Sequence, residues 1–212
     1  MMLEDLTGAV QARSRLDLYF TDLVARRRRE PGDDLVTALA QTDELTAEEL
    51  LANLVVLLVA GFETTTNLLG NALAILLSRG PLAVPDPAAL VEEVLRFDPP
   101  VQLTSRWCRE ATAIGGVTLE PYSQVLLLLG AANRDPDRYP DPDVFDPARP
   151  SIQPLSFGAG PHFCVGAALA RMEAQIALPM LARRLPRLAL AATPLRRPRL
   201  TLRGYAELPV TC

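Results

Sequence analysis

One long apolar rod limits the architectures open to this chain. Thr46-Ala47-Glu48-Glu49 has the form of a capping box, a hydroxyl at the helix entrance with a carboxylate three residues on. No strong stop follows until Gly80-Pro81, so the spacing predicts one helix over about 46–79, ~34 residues and ~50 Å long. From Leu50 to Leu77 it is apolar almost all round, which predicts burial on every side. A bilayer span is the rival reading, because the length suffices. Asn53, Glu63, Thr64, Thr65, Thr66, Asn67 and Asn71 are too polar a set for lipid, so a central core helix is expected. Inside it, Ala60-Gly61-Phe62-Glu63-Thr64-Thr65 places a helix-weakening glycine before an acid and hydroxyls, and polar groups in an apolar rod need a reason. Back-bonding of the threonines to carbonyls one turn earlier is one such reason.

The second feature is Phe157-Gly158-Ala159-Gly160-Pro161-His162-Phe163-Cys164-Val165-Gly166, a glycine-spaced loop that delivers a cysteine to a helix expected from about Val165 to Leu185. Leu169, Met172, Ile176 and Met180 give that helix its three- and four-residue apolar spacing. At a helix N-terminus the dipole and unpaired backbone N–H groups favour a thiolate ligand. For a lone cysteine the plainer alternative is a buried structural side chain.

The Phe, the two glycines, the His, the Cys and the last Gly, in this order, resemble the haem-binding signature of the cytochrome P-450 family, the haem-thiolate monooxygenases. The resemblance implies a fold that is mainly α with small β-sheets, and haem b (heme b) as cofactor with Cys164 as its axial iron ligand. Phe157 would shield the sulfur, Gly158 would let the loop turn beneath the ring, and Gly166 would remove a colliding side chain. By position, Gly61 would make room for dioxygen, while Glu63 and Thr64 would be the catalytic acid–alcohol pair that relays protons. Arg106 and His162 would hold the haem propionates. His162 is the chain's single histidine, which excludes zinc sites built on two or three histidines.

Asp86-Pro87 opens a shorter helix that Asp98-Pro99-Pro100 stops, predicting helix over about 87–97. Glu93 and Arg96 share one face of it, and as an exposed pair they would contribute only ~0.2–0.5 kcal/mol. The resemblance joins them to Arg149 as a structural clamp. Residues 101–129 read as strands around turns at Gly115-Gly116 and Pro121-Tyr122-Ser123, with Arg106 on the first strand. The family favours Pro-x-Gly at the second turn. A Pro-rich meander over 135–154, a kink at Pro179 and a terminal hairpin with Gly204 near its tip complete the expectations.

Composition narrows the partners. Among 212 residues, 22% charged and net −4, there is no overall basic field for nucleic acid. Arg26-Arg27-Arg28-Arg29 reads as the solvated end of a first helix, its partner, if any, an acidic protein. Three cysteines give no even disulfide framework and no signal peptide opens the chain, so a cytoplasmic protein without membrane attachment is expected. The resemblance is to soluble bacterial members, which act on a small apolar organic substrate with dioxygen and draw electrons from a ferredoxin or flavin-type donor. It covers nearly the whole chain but only the C-terminal half of the family's pattern. Residues 1–212 are therefore expected to form a single incomplete domain, truncated before the segments that roof the distal pocket, with one flank of the long helix exposed. Two readings stand: a monooxygenase inserting one oxygen atom, or a protein that is no enzyme, either a catalytically inactive truncated remnant or a haem- or partner-binding protein.

Overall fold

A computed structural model describes residues 2–212. They divide into two compact units, one ending at Phe62 and one beginning at Glu63. The first holds α1 (Met2–Arg29), α2 (Leu35–Ala40) and the opening turns of α3 (Ala47–Leu77). Phe20 and Val24 of α1 pack on Ala40 of α2 and on Leu50, Leu54 and Val55 of α3. The corner between α1 and α2 is stitched by polar groups. Asp34 caps α2 by accepting from the Thr37 N–H at 2.8 Å, and Arg27 Nε reaches the same carboxylate at 2.6 Å. Arg28 donates to the Ala40 carbonyl, at the C-terminal end of α2, at 3.3 Å. Two of the four consecutive arginines thus serve this corner, rather than all four ending in solvent.

The capping box expected at the start of α3 is formed in both directions. Glu49 N–H donates to the Thr46 hydroxyl at 3.2 Å, and Thr46 N–H donates to the Glu49 carboxylate at 2.9 Å. The helix stops at Leu77, three residues before Gly80, whose φ of +136° an L side chain would resist.

In the second unit, α4 (Pro87–Phe97) has the predicted boundaries, with the Asp86 carboxylate accepting from the N–H groups of Ala88 and Ala89. Strands β1 (Thr104–Trp107), β2 (Thr112–Ile114), β3 (Val117–Leu119) and β4 (Gln124–Leu127) follow. β1 pairs with β4 and β2 with β3, all antiparallel, and Gly115-Gly116 turn at φ of +58° and +80° as a hairpin tip requires. A short α5 (Leu129–Ala132), the Pro-rich meander, two single 3₁₀ turns and α6 (Ala167–Arg184) come next. The core lies where Leu68, Ala72 and Ile75 of α3 meet Leu90, Val91, Val94 and Leu95 of α4 and Ala174 and Leu178 of α6. The chain closes in nested pairs: β5 (Ala189–Leu190) with β8 (Val210–Thr211), and β6 (Leu195–Arg196) with β7 (Tyr205–Glu207).

Several expectations need correction. The long helix is not buried on every side, as its apolar pattern alone would have it, but carries the exposed flank expected of a half-length match, at Val56, Leu58, Val59 and Phe62. On α6 the spaced apolar residues Leu169, Met172 and Ile176 also face outward, and the buried face is Ala167, Ala174 and Leu178. Alanine's small side chain lets α6 approach α4 closely, so burial follows the neighbour and not the larger apolar residues. The helix continues through Pro179 to Arg184. Gly204 is not at a hairpin tip; a Cβ there would fall 2.0 Å from Asn67 Oδ1, so close approach to α3 explains the glycine.

Length and hydropathy alone would let α3 cross a bilayer. Its lower half instead packs in the core just described, and its polar residues Glu63, Asn67 and Asn71, spaced four apart, meet the terminal segment.

The backbone N–H of Thr37 and that of Thr46 are the chief causes that hold the Asp34 and Glu49 carboxyls below the ordinary carboxylate range. Each lowered value stabilises the folded state above the unfolded-state pKa, and that contribution is lost as pH falls through the folded value. Acid titration should therefore release amide-exchange protection at Thr37 and Thr46 in the acid range, and Asp34→Asn and Glu49→Gln should each abolish the pH dependence at their own cap. Protection that is flat across the acid range would refute the capping argument.

Candidate active site

The site is built outward from α4. Arg96 and Glu93 are wholly buried. A guanidinium carries five N–H donors, and each finds an acceptor here. Nε and Nη2 pair with the two Glu93 oxygens, both at 2.7 Å. The rest go to the carbonyls of Asn133 at 3.2 Å, Pro142 at 2.8 Å and Val144 at 3.0 Å. Glu93 Oε1 also accepts from the Asp146 N–H at 2.8 Å and lies 3.4 Å from Arg149 Nε. Arg149 donates onward to the carbonyls of Pro140, Asp141 and Val144. The predicted clamp of Glu93, Arg96 and Arg149 is thus one cluster, and its work is to tie the Pro-rich meander to α4. The pair is buried and fully hydrogen-bonded, where the spacing alone had suggested a solvated one.

From this clamp a chain of hydrogen bonds reaches the cysteine loop. Asn133 donates to the Leu95 carbonyl at 3.3 Å and to Ser156 Oγ at 2.9 Å, and its oxygen accepts from the Leu155 N–H at 2.7 Å. Ser156 in turn donates to the Leu95 carbonyl at 2.6 Å. Phe157 follows directly, and its carbonyl accepts the Cys164 N–H at 3.0 Å. Gly158 and Gly160 lie between them at φ of +72° and +70°, which lets the loop close on itself. Arg171 lies 4.5 Å over the Phe157 ring and forms an ion pair with Glu92 at 2.5 Å, fixing the loop's flank to α4. Sequence reasoning missed Asn133, Ser156, Glu92 and Arg171, because no motif spacing links positions so far apart.

Cys164 sits two residues before Gly166, the N-cap of α6, rather than at the first helical position. Its carbonyl accepts the Ala167 N–H at 3.2 Å, so the sulfur-bearing turn runs straight into the helix. Phe157 packs edge-on to Phe163 with ring centres 6.4 Å apart, yet Cys164 stays exposed, so protein side chains alone do not shield the sulfur. A Cβ at Gly166 would come within 3.8 Å of the Cys164 sulfur, so the glycine leaves open the space beside it. Among the described residues, no three His, Cys, Asp or Glu side chains gather to hold a bare metal ion. A metal at Cys164 must bring its other ligands, as iron in a porphyrin does, and an exposed thiol beside an open glycine face fits that requirement.

The remaining candidates are more dispersed. Arg106 lies on β1 opposite Val125, half-buried, with Nη1 donating to the Ser105 carbonyl at 2.8 Å and the Thr104 hydroxyl at 3.3 Å. His162 is exposed on the cysteine loop, and Thr64 is half-buried on α3. Gly61 is exposed, and a Cβ there would meet nothing within 4 Å. Glu63 is engaged: its Oε1 accepts from Arg197 at 3.0 Å and from Arg199 at 3.1 Å. Among the described residues, no hydrogen bond or ion pair joins Arg106 or Glu63 to the cysteine loop.

A family model described as cytochrome P450 matches residues 88–198. Cytochrome P450 107B1 of Saccharopolyspora erythraea is 47% identical over 206 residues, 91% of this chain and 51% of that protein. The 6-deoxyerythronolide B hydroxylase of the same organism is 44% identical over 94% of this chain and 53% of its own length. Among solved structures, ligand-free CYP164A2 of Mycobacterium smegmatis superposes with a TM-score of 0.88 at 42% identity, covering 97% of this chain and 55% of that one. The chain spans about half the length of the relatives it matches.

Glu93→Ala should lower stability by about 3–5 kcal/mol in urea unfolding, since it strands a buried guanidinium. Glu92→Ala, which breaks the partly exposed pair with Arg171, should cost no more than about 1 kcal/mol. Equal losses would refute the clamp's central role.

Proposed function

Because the chain belongs to the cytochrome P450 family, we propose that it carries the haem-thiolate site of a monooxygenase that inserts one oxygen atom from dioxygen into an apolar organic substrate. The observation that supports this most is the Cys164 turn: a cysteine whose backbone N–H donates to the Phe157 carbonyl, whose thiol is exposed, and which lies beside a glycine that keeps its neighbourhood open. Cys164 would hold the iron of haem b, and Arg106 and His162 would hold its propionates through charge-assisted hydrogen bonds. When bound, the haem supplies dioxygen binding and iron redox chemistry.

The chain's own residues supply the rest. Phe157, which packs edge-on to Phe163, holds the Cys164 backbone through its carbonyl, and Gly166 leaves the face beside the sulfur clear. Glu63 and Thr64, neighbours on α3, hold and move protons as a general acid and its hydroxyl relay. Gly61 leaves space one turn away for a small ligand. A ferredoxin or flavin-type protein is the proposed electron donor, the proposed setting is the cytoplasm, and residues 1–212 are read as one incomplete domain of the family.

A second reading is favoured by one specific observation. Val56, Leu58, Val59 and Phe62 on α3, and Leu169, Met172 and Ile176 on α6, leave apolar helix faces open. A chain with such faces is also consistent with an inactive remnant, or with a haem- or partner-binding protein that lacks a closed substrate pocket.

The deciding experiment supplies haem to the purified chain, reduces it, adds carbon monoxide and records the absorption spectrum beside Cys164→Ser. The expected result is a strongly red-shifted Soret band that the serine variant loses. Failure to take up haem, or a band indifferent to the substitution, would overturn the haem-thiolate reading. In a chain that turns over, Thr64→Ala should raise the share of reducing equivalents lost as peroxide, and an unchanged share would remove Thr64 from the proton path.

A further inference from the structure

The acid on α3 belongs to a longer polar line. Glu63, Asn67 and Asn71 recur every four residues and so share one helix face. The segment from Arg196 to Gly204 lies along that face. Asn71 donates to the carbonyls of Asp98 at 3.0 Å and Arg203 at 3.3 Å, and its oxygen accepts from Arg196 at 3.1 Å. Arg196 also pairs with the buried Asp98 carboxylate at 2.6 Å. Asn67 is buried against Gly204, where no side chain has room. At the far end Arg197 and Arg199 both donate to Glu63 Oε1. Both of these contacts, and the ion pairs with the same two arginines, go to Oε1 of the carboxylate.

We infer that Arg197 and Arg199 are positioning residues for Glu63. They seize one carboxylate oxygen and leave the other as the atom that holds or passes a proton. An isolated exposed ion pair would be a weak device, because side-chain entropy and solvent screening offset most of its gain. This pair of contacts differs because the backbone carrying both arginines is already fixed on α3 by Arg196, which bonds the buried Asn71 and Asp98, and by the Gly204 contact. Much of the ordering cost therefore falls on contacts other than the carboxylate. The inference rests on the proposed proton role of Glu63.

Each arginine uses a single Nη1 donor to Glu63, so a lysine can take its place, which a bidentate fork would not permit. The test compares the full chain with the double variant Arg197→Ala/Arg199→Ala, the rescue variant Arg197→Lys/Arg199→Lys, and Glu63→Gln. Without haem, two readings are taken. The Glu63 carboxyl ¹³C resonance, assigned by its loss in Glu63→Gln, should move in the alanine variant and return in the lysine variant. In a double-mutant cycle by urea unfolding, Glu63→Gln should remove an interaction of about two- to fivefold in the unfolding constant. An unmoved resonance with no coupling would overturn the inference. With haem bound, the alanine variant should raise the peroxide share by roughly twofold or more, the lysine variant should restore it, and the carbon monoxide band should stay in place. A moved resonance with an unchanged peroxide share would reduce the arginines to a structural brace and overturn positioning. Failure to bind haem would sink the functional reading and the positioning role together, whereas the resonance and the cycle would still report whether the brace exists.

Discussion

A buried guanidinium is costly unless every donor is met, and Arg96 meets all five. Only two of its partners lie within its own helix, on Glu93. The other three are main-chain carbonyls from two later stretches of chain, so the charge can be buried only once residues 133–144 have wrapped around α4. That requirement organises the second unit. With Glu93 shared among Arg96, Arg149 and the Asp146 N–H, an otherwise irregular Pro-rich stretch acquires a fixed path without regular secondary structure. Its fixed path then places Asn133, and Asn133 places the turn that leads to Cys164.

The cysteine loop is consequently held at both ends. Ser156 and Asn133 tie its start to the single Leu95 carbonyl in the last turn of α4, and α6 takes over from Gly166. α4 and α6 are joined in turn by their apolar core and by the Glu92–Arg171 pair. An exposed thiol is thereby carried on a support held at both ends, as the proposed ligand role of Cys164 requires if its geometry is to be set before the ligand arrives.

Helix α3 shows a division of labour along one rod. Its apolar residues Leu68, Ala72 and Ile75 enter the core, while Glu63, Asn67 and Asn71 receive the terminal segment. The interior acid that looked like an exception to burial rules is an ion-paired group at the end of a polar stripe. The open apolar faces of α3 and α6 stand beside the fact that the relatives are about twice as long.

Local chemistry made much of this legible. The capping box at Thr46, the Asp86 cap of α4, the Gly115-Gly116 turn and the two positive-φ glycines of the cysteine loop are short-range devices, and each formed where the sequence placed it. The resemblance that pointed to the family rested on the same kind of signal, residues fixed within ten positions of one another. What sequence could not show were partnerships across long chain separation. The buried state of Glu93 and Arg96, the Asn133–Ser156 link, the outward face of Leu169, Met172 and Ile176, and the arginines on Glu63 all depend on which surface lies opposite. A side chain's type determines what it can bond, but desolvation and packing are properties of the space between elements, and only the tertiary structure decides them.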